Sequence, residues 1–202
     1  MDKRNLIIEA MYKLLKEDKG AFCSVSEIAK EAGIGKGSIY YYFKSKDEIF
    51  DALVEHVYYE KIRHCKEVIS CSHINALEKL QLLFSVYGQY IIDPSIDSYL
   101  HLQQNAAIHQ KSLAQIHNLL SPIVAEIFNN GVNENLFICE SPQETAELFL
   151  SSFCFLFDPG IFSWSDNQIL KKLKALADLF ESGLSAPKGS LQFLYQSFQK
   201  QI

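Results

Sequence analysis

The stretch VSEIAKEAGIGKGSIYYYFKSKDEIF, residues 25–50, decides how the rest of the chain is read. Ser24, just before it, stands three residues ahead of Glu27. That is the spacing of a capping box: the serine hydroxyl accepts from the Glu27 amide, and the carboxylate reaches back to the Ser24 amide. A short helix is therefore expected through Ala32, and Gly33, which tolerates positive φ, is placed to end it. A second short helix is expected from Lys36 to Phe43. Ser45-Lys-Asp-Glu48 repeats the box spacing and opens a long helix with Ile49, Phe50, Leu53, Val54, Val57 and Ile62 on one side.

At about 100° per residue, Ile39 and Phe43 share one face of the second helix. Tyr41 points the opposite way, with Tyr40 and Tyr42 on the flanks. The inward pair suits a core with Ile28, Ala29, Ala32 and Ile34, but burial does not explain the tyrosines. A nucleotide loop fails on spacing, because GxGxxG needs glycine where Ser38 stands and a P-loop needs Ser or Thr where Gly37 stands. Two short helices joined by Gly33-Ile-Gly35 instead have the geometry of a helix-turn-helix, whose second helix enters the major groove by its N-terminal residues. Lys36 can donate to guanine or phosphate oxygens, and Gly37 lets backbone approach closely. Tyrosine hydroxyls, the Lys46 ammonium and the amides of the helix start at Lys46 suit phosphates.

The wider chain fits a basic module on an acidic body. Residues 1–46 hold nine Lys/Arg and six Asp/Glu, or +3, whereas the other 156 residues hold ten and eighteen, or −8. Apolar residues form 48% of the 202 and charged residues 21%, a globular composition. The five cysteines (Cys23, Cys65, Cys71, Cys139 and Cys154) form no CxxC and suit a reducing compartment. The N-terminus does not read as a signal peptide, and the longest apolar run, 148–157, is too short to span a bilayer. A cytoplasmic protein without a membrane partner is expected.

Helical periodicity runs nearly throughout, giving an all-α fold. Residues 3–17 carry apolar positions at three- and four-residue spacing and predict the first helix, with Phe22 folding back beneath it. Beyond about residue 70, helices are expected near 74–92, 96–109, 112–131, 142–158, 166–182 and 190–199. Ser141-Pro142-Gln-Glu144 reads as a helix start, Ser165 with Gln168 as another, and Gly183 as a stop. Pro94 and Asp158-Pro-Gly160 are breaks. Pro122 is expected to kink or restart its helix.

VSEIAKEAGIGKGSIYYYFKSKDEIF, with Ser24 before it, resembles the N-terminal signature of the TetR family of transcriptional regulators. The resemblance covers about residues 3–55. It implies a helix-turn-helix domain over 1–46, a fourth helix running to about 62 as the link, and an effector-binding and dimerisation domain over 47–202. It further implies a homodimer that represses from a palindromic double-stranded operator until a small molecule binds, with no cofactor and no catalysis. Family contacts to DNA map onto Ser24, Lys36, Gly37, Ser38, Tyr40, Tyr41, Tyr42 and Lys46. Gly35 departs from the pattern, since the family often has serine or threonine there.

In the body, LFLSSFCFLF (148–157) is apolar on every side, which demands burial all round. The resemblance implies that the last two major helices pair with their mates in a four-helix bundle, which would bury part of it, with Phe149, Phe153, Phe157, Leu173, Leu176 and Phe180 as candidates. The family layout implies an effector pocket among helices 4 to 7, where Tyr58, Phe84, Tyr87, Tyr90, Tyr99, His101 and His109, each apolar or apolar with a polar tip, are candidates to line it for a hydrophobic or aromatic effector. His64, Cys65, Cys71 and His73 have the chemistry of metal ligands but also read as an ordinary helix end. The alternative class is a helical small-molecule-binding or metal- or redox-sensing protein. No HExxH, GxSxG or paired-carboxylate motif points to an enzyme.

Overall fold

A computed structural model describes residues 2–17, 23–89 and 94–199. Ten α-helices are found among them: α1 (Lys3–Lys16), α2 (Val25–Glu31), α3 (Lys36–Tyr42), α4 (Lys46–Cys71), α5 (Ala76–Gln89), α6 (Pro94–Leu100), α7 (Ala106–Asn133), α8 (Pro142–Ser151), α9 (Asp166–Gly183) and α10 (Phe193–Gln199). The fold is all-α, as the periodicity requires. The expected fold-back of Phe22 lies outside the described residues. No helix among the described residues is long and apolar enough to cross a membrane. The chain forms two compact units, Met1–Glu60 with Ile91–Ser112, and Lys61–Tyr90 with Leu113–Ile202.

The first unit is built on α1, α2, α3 and the start of α4. The Asp2 carboxylate caps α1 by accepting from the Arg4 amide at 3.3 Å. Ile7, Ile8, Met11, Leu14 and Leu15 are buried on its inner face, while Lys13 and Lys16 complement the dipole in its last turn. Later in the chain, Tyr99 of α6 is buried and meets the Phe50 ring edge-on, with centroids 4.2 Å apart. An exposed ion pair joins Lys111 to Asp51.

The second unit has an aromatic centre. Phe149 of α8 is fully buried, and its ring lies 4.7–5.8 Å from those of Phe180, Phe153, Phe84 and Phe128. The pairs with Phe180, Phe84 and Phe128 are edge-on and that with Phe153 is tilted; aromatic pairs add about 0.5–1.5 kcal/mol each beyond the area they bury. Glu181, buried in α9, accepts from the amides of Gly189 and Leu191 at 2.8 Å and pins the segment leading to α10.

Several boundaries depart from the periodicity for local reasons. The helix expected over 96–109 stops at Leu100, and residues 106–109 join α7 instead. The Asn105 side chain donates to the Tyr99 carbonyl at 2.6 Å, and the His101 ring engages the Asp97 carbonyl at 2.8 Å. Such side-chain bonds compete with the helix ladder. Pro122 does not break α7. It and Asn118, whose carbonyl loses its donor, lie on the exposed side, where water can serve.

The helix expected over 142–158 becomes a π turn at Ser152–Leu156. At the switch the Ser151 and Ser152 hydroxyls donate back to the carbonyls of Glu147 and Leu148, at 2.7 and 3.1 Å. Pro142 opens α8 as expected, but Ser141 makes no side-chain cap. Gly183 is the last residue of α9, but it is not the left-handed residue that turns the chain; Ser185 takes that position at φ 51°.

Candidate nucleic-acid interface

The turn between α2 and α3 is set by residues that satisfy helix ends. Both halves of the Ser24–Glu27 box form: the Ser24 amide donates to the carboxylate at 2.7 Å, and the Glu27 amide donates to the hydroxyl at 3.3 Å. At the other end Gly33 is left-handed, with φ 67°. Its amide donates to the Lys30 carbonyl, and the Ile34 amide to the Ala29 carbonyl, at 3.2 and 3.0 Å. These two bonds make a Schellman motif, which turns the chain sharply. Gly35 then caps α3 in extended backbone with no side-chain bond. The Ser38 amide donates to its carbonyl at 2.8 Å.

Ile39 and Phe43 are 1% and 3% exposed and hold α3 to the unit, with the Arg4 guanidinium 5.3 Å from the Phe43 ring centre. The opposite face is bare. Tyr41 is 83% exposed and Tyr40 52%, and Lys36 and Gly37 are exposed at the start of the helix. Ser38 and Tyr42 are half-buried, the Tyr42 ring meeting Tyr41 edge-on at 5.0 Å. A Cβ placed on Gly37 would touch nothing within 4 Å, and its backbone is not left-handed. The chain's own packing thus gives no reason for a glycine in a helical turn, where it costs up to about 1 kcal/mol against alanine.

Other expected contacts are already engaged. The Ser24 hydroxyl donates to Glu27 at 2.9 Å, so a phosphate would have to take its proton from the cap. Lys46 is half-buried, and its ammonium lies 5.7 Å from the centre of the Tyr99 ring. At the start of α4, Ser45 accepts from the Glu48 amide at 3.1 Å, but the Glu48 carboxylate accepts from the Lys44 amide, one residue beyond the expected Ser45. Lys44 itself is exposed beside α3, a cation whose place between two helices sequence periodicity did not single out.

The body candidates fall in different places. Tyr58, Tyr99, His101 and His109 belong to the first unit, Phe84 and Tyr87 to the second, and Tyr90 lies outside the described residues. His101 and His109 come together, with ring centroids 4.7 Å apart. His64, Cys65, Cys71 and His73 do not converge as a ligand set among the described residues, since Cys65 faces the core while the other three are exposed.

Of the six candidates for a subunit contact, Phe149, Leu173 and Leu176 are buried within the protomer, and Phe153, Phe157 and Phe180 are half-buried. The exposed apolar side chains on the same elements are Leu148 (67%), Phe155 (37%) and Leu179 (66%). Burying the inner face first is what a long all-apolar run does in one protomer. His117 and Ser151 resemble a catalytic pair, with Nε2 3.1 Å from Oγ. That nitrogen also faces the Glu147 carbonyl at 3.0 Å, and the Ser151 hydroxyl donates to the same carbonyl at 2.7 Å, so both side chains are engaged by the backbone of α8.

A capped helix, a tight turn and a second helix with a bare, partly basic face define a helix-turn-helix transcriptional regulator. Comparison with known proteins narrows the class. The family model described as bacterial regulatory proteins, tetR family, matches residues 7–53. A tetracyclin repressor-like C-terminal domain matches residues 95–179. The chain is 32% identical over 132 residues to the fatty acid metabolism regulator protein of Bacillus subtilis (strain 168), covering 62% of this chain and 68% of that protein. With the HTH-type transcriptional regulator YhgD of the same strain it shares 26% identity over 198 residues, 92% of this chain and 98% of that one. The crystal structure of RolR with resorcinol shares the fold at a TM-score of 0.65 and 16% identity, covering 96% and 93% of the two chains. The chain belongs to the TetR family and is a DNA-binding regulator.

Proposed function

We propose that this chain is a ligand-responsive repressor that binds a palindromic operator as a homodimer and is released by a small hydrophobic or aromatic effector. The observation that carries the DNA half is the face of α3 opposite Ile39 and Phe43, with Tyr41 83% exposed beside an exposed Lys36 and a Gly37 that packing does not require. On this reading Lys36, Gly37 and Ser38 approach base edges, and Tyr40, Tyr41, Tyr42, Lys44 and Lys46 hold phosphates. Ser24 joins them by giving up its bond to Glu27.

A second copy is supported by the exposed Leu148, Phe155 and Leu179, joined by the half-buried Phe157 and Phe180. Two-fold symmetry then sets the recognition helices about 34–36 Å apart, one turn of DNA. The aromatic centre of the second unit supports an apolar effector, and the resorcinol held by RolR and the fatty acid metabolism regulated by the Bacillus relative are in keeping with one. An effector that binds better to the dimer with wrongly spaced helices drains the DNA-competent state.

Footprinting on the chain's own upstream region, with sedimentation of the complex, tests the proposal. A two-fold symmetric footprint carrying two protomers per half-site pair is expected. Protection by a single protomer without symmetry would refute the dimeric reading.

A further inference from the structure

Lys61, on the part of α4 that belongs to the second unit, is 5% exposed. Its ammonium lies 3.7 Å from the centre of the Tyr87 ring on α5. Cys65, one turn further along α4, is fully buried. No carboxylate among the described residues forms an ion pair with Lys61. Buried cations are ordinarily paired, because an uncompensated charge away from water is costly. Burial pushes the Lys61 pKa down to about 8, against a smaller opposing influence from Cys65. A methionine would fill the same volume without that cost. Apart from the Tyr87 ring face, Lys61 has no ion-pair partner among the described residues, and its ammonium has the chemistry to take an anion.

The neighbouring surface shows what kind of anion. Phe84 precedes Tyr87 by three residues on α5, and so lies on the same side of that helix. Its half-buried ring meets Phe153 at 4.9 Å and Phe149 at 5.8 Å. Phe153 is itself half-buried and sits in the π turn, an irregularity found often at functional sites. Phe84 thus stands one turn of α5 from Tyr87, the residue whose ring carries the ammonium.

We propose that Lys61 anchors the effector and that the effector is an apolar acid, its carboxylate on the Lys61 ammonium and its hydrocarbon or aromatic body against the half-buried Phe84 and Phe153. The inference rests on the reading of the body as a ligand sensor and names the class of ligand. Tyr87 holds the ammonium by its ring face until the carboxylate arrives, and the charge-assisted bonds then formed are strong because water is largely excluded.

Calorimetric titration of the full-length protein with decanoate and with 2-naphthoate tests this, beside their neutral counterparts decan-1-ol and 2-naphthol. Lys61→Met and Lys61→Gln are the variants, so that one failing to fold does not remove the test. Both acids should bind the wild-type protein and bind each variant at least about tenfold more weakly, as expected when one partner of a buried charge pair is removed. The neutral compounds should change by less than about threefold, since they make no such pair. Failure of both acids to bind wild-type protein, equal binding by the variants, or equal binding of neutral counterparts would each overturn the proposal. The sensor reading fails separately: acids that bind through Lys61 yet leave the operator complex intact would uphold the anion site and refute its role in release.

Discussion

Replacing Lys61 by methionine should make this protein more stable. A lysine whose pKa falls from 10.5 to about 8 in the folded state carries a penalty of about 3 kcal/mol at neutral pH. The Tyr87 ring face, 3.7 Å from the ammonium, returns about 1–2 kcal/mol of it. A net gain of about 1–2 kcal/mol is therefore expected for Lys61→Met, whose side chain fills a similar volume. The sign with pH follows from proton counting. Between pH 8 and 10.5 the unfolded chain binds more protons at this site than the folded one, so wild-type stability rises with pH there. Below pH 8 the full penalty applies.

Urea unfolding of both proteins at pH 7 and at pH 9.5, at one fixed protomer concentration, reads both effects. The variant should lead at pH 7, and its lead should shrink at pH 9.5. A variant less stable at pH 7, or a difference that ignores pH, would refute the reasoning and with it the picture of Lys61 as a buried charge that no carboxylate pairs.

Three further substitutions test the local geometry. Gly37→Ala should leave folding unchanged or raise stability by up to about 1 kcal/mol, yet weaken operator binding at least about tenfold, the loss of one good groove contact; unfolding and anisotropy on the same samples separate the two. Ser185→Gly should stabilise by about 1 kcal/mol, because Ser185 stands at φ 51° where glycine is unstrained, as chemical denaturation would report. Gly131→Ala should destabilise by about 2–4 kcal/mol, since its Cβ would overlap the buried Phe137 ring, and thermal melts would show it.

The head was legible because its signals are local. Ser24 with Glu27, the glycine at 33 and the four-residue spacing of Ile39 and Phe43 each fix a bond or a face within one or two turns. The same periodicity found the helices of the body but misplaced their ends where side chains intervene. Asn105 and His101 stop α6 early, and the Ser151 and Ser152 hydroxyls convert the end of α8 into a π turn.

Facing direction was the harder question. The run 148–157 is apolar on all sides, so its sequence cannot say which side the protomer claims first, and Phe149 went inward while Leu148 stayed out. Lys61 carried no signal at all in a helix where lysines are ordinary. Only its position over Tyr87 makes it unusual.

The most direct test of DNA binding through the outward face of α3 is fluorescence anisotropy with duplexes from the upstream region, at several salt concentrations, on wild-type protein and Tyr41→Ala. Tight, fragment-selective binding should fall with salt, by about 0.9 in log–log slope for each phosphate neutralised. The variant, folded as before because Tyr41 is 83% exposed, should bind markedly more weakly. Binding that ignores salt and fragment, with Tyr41→Ala indistinguishable from wild type, would contradict the assignment of α3 as the recognition helix.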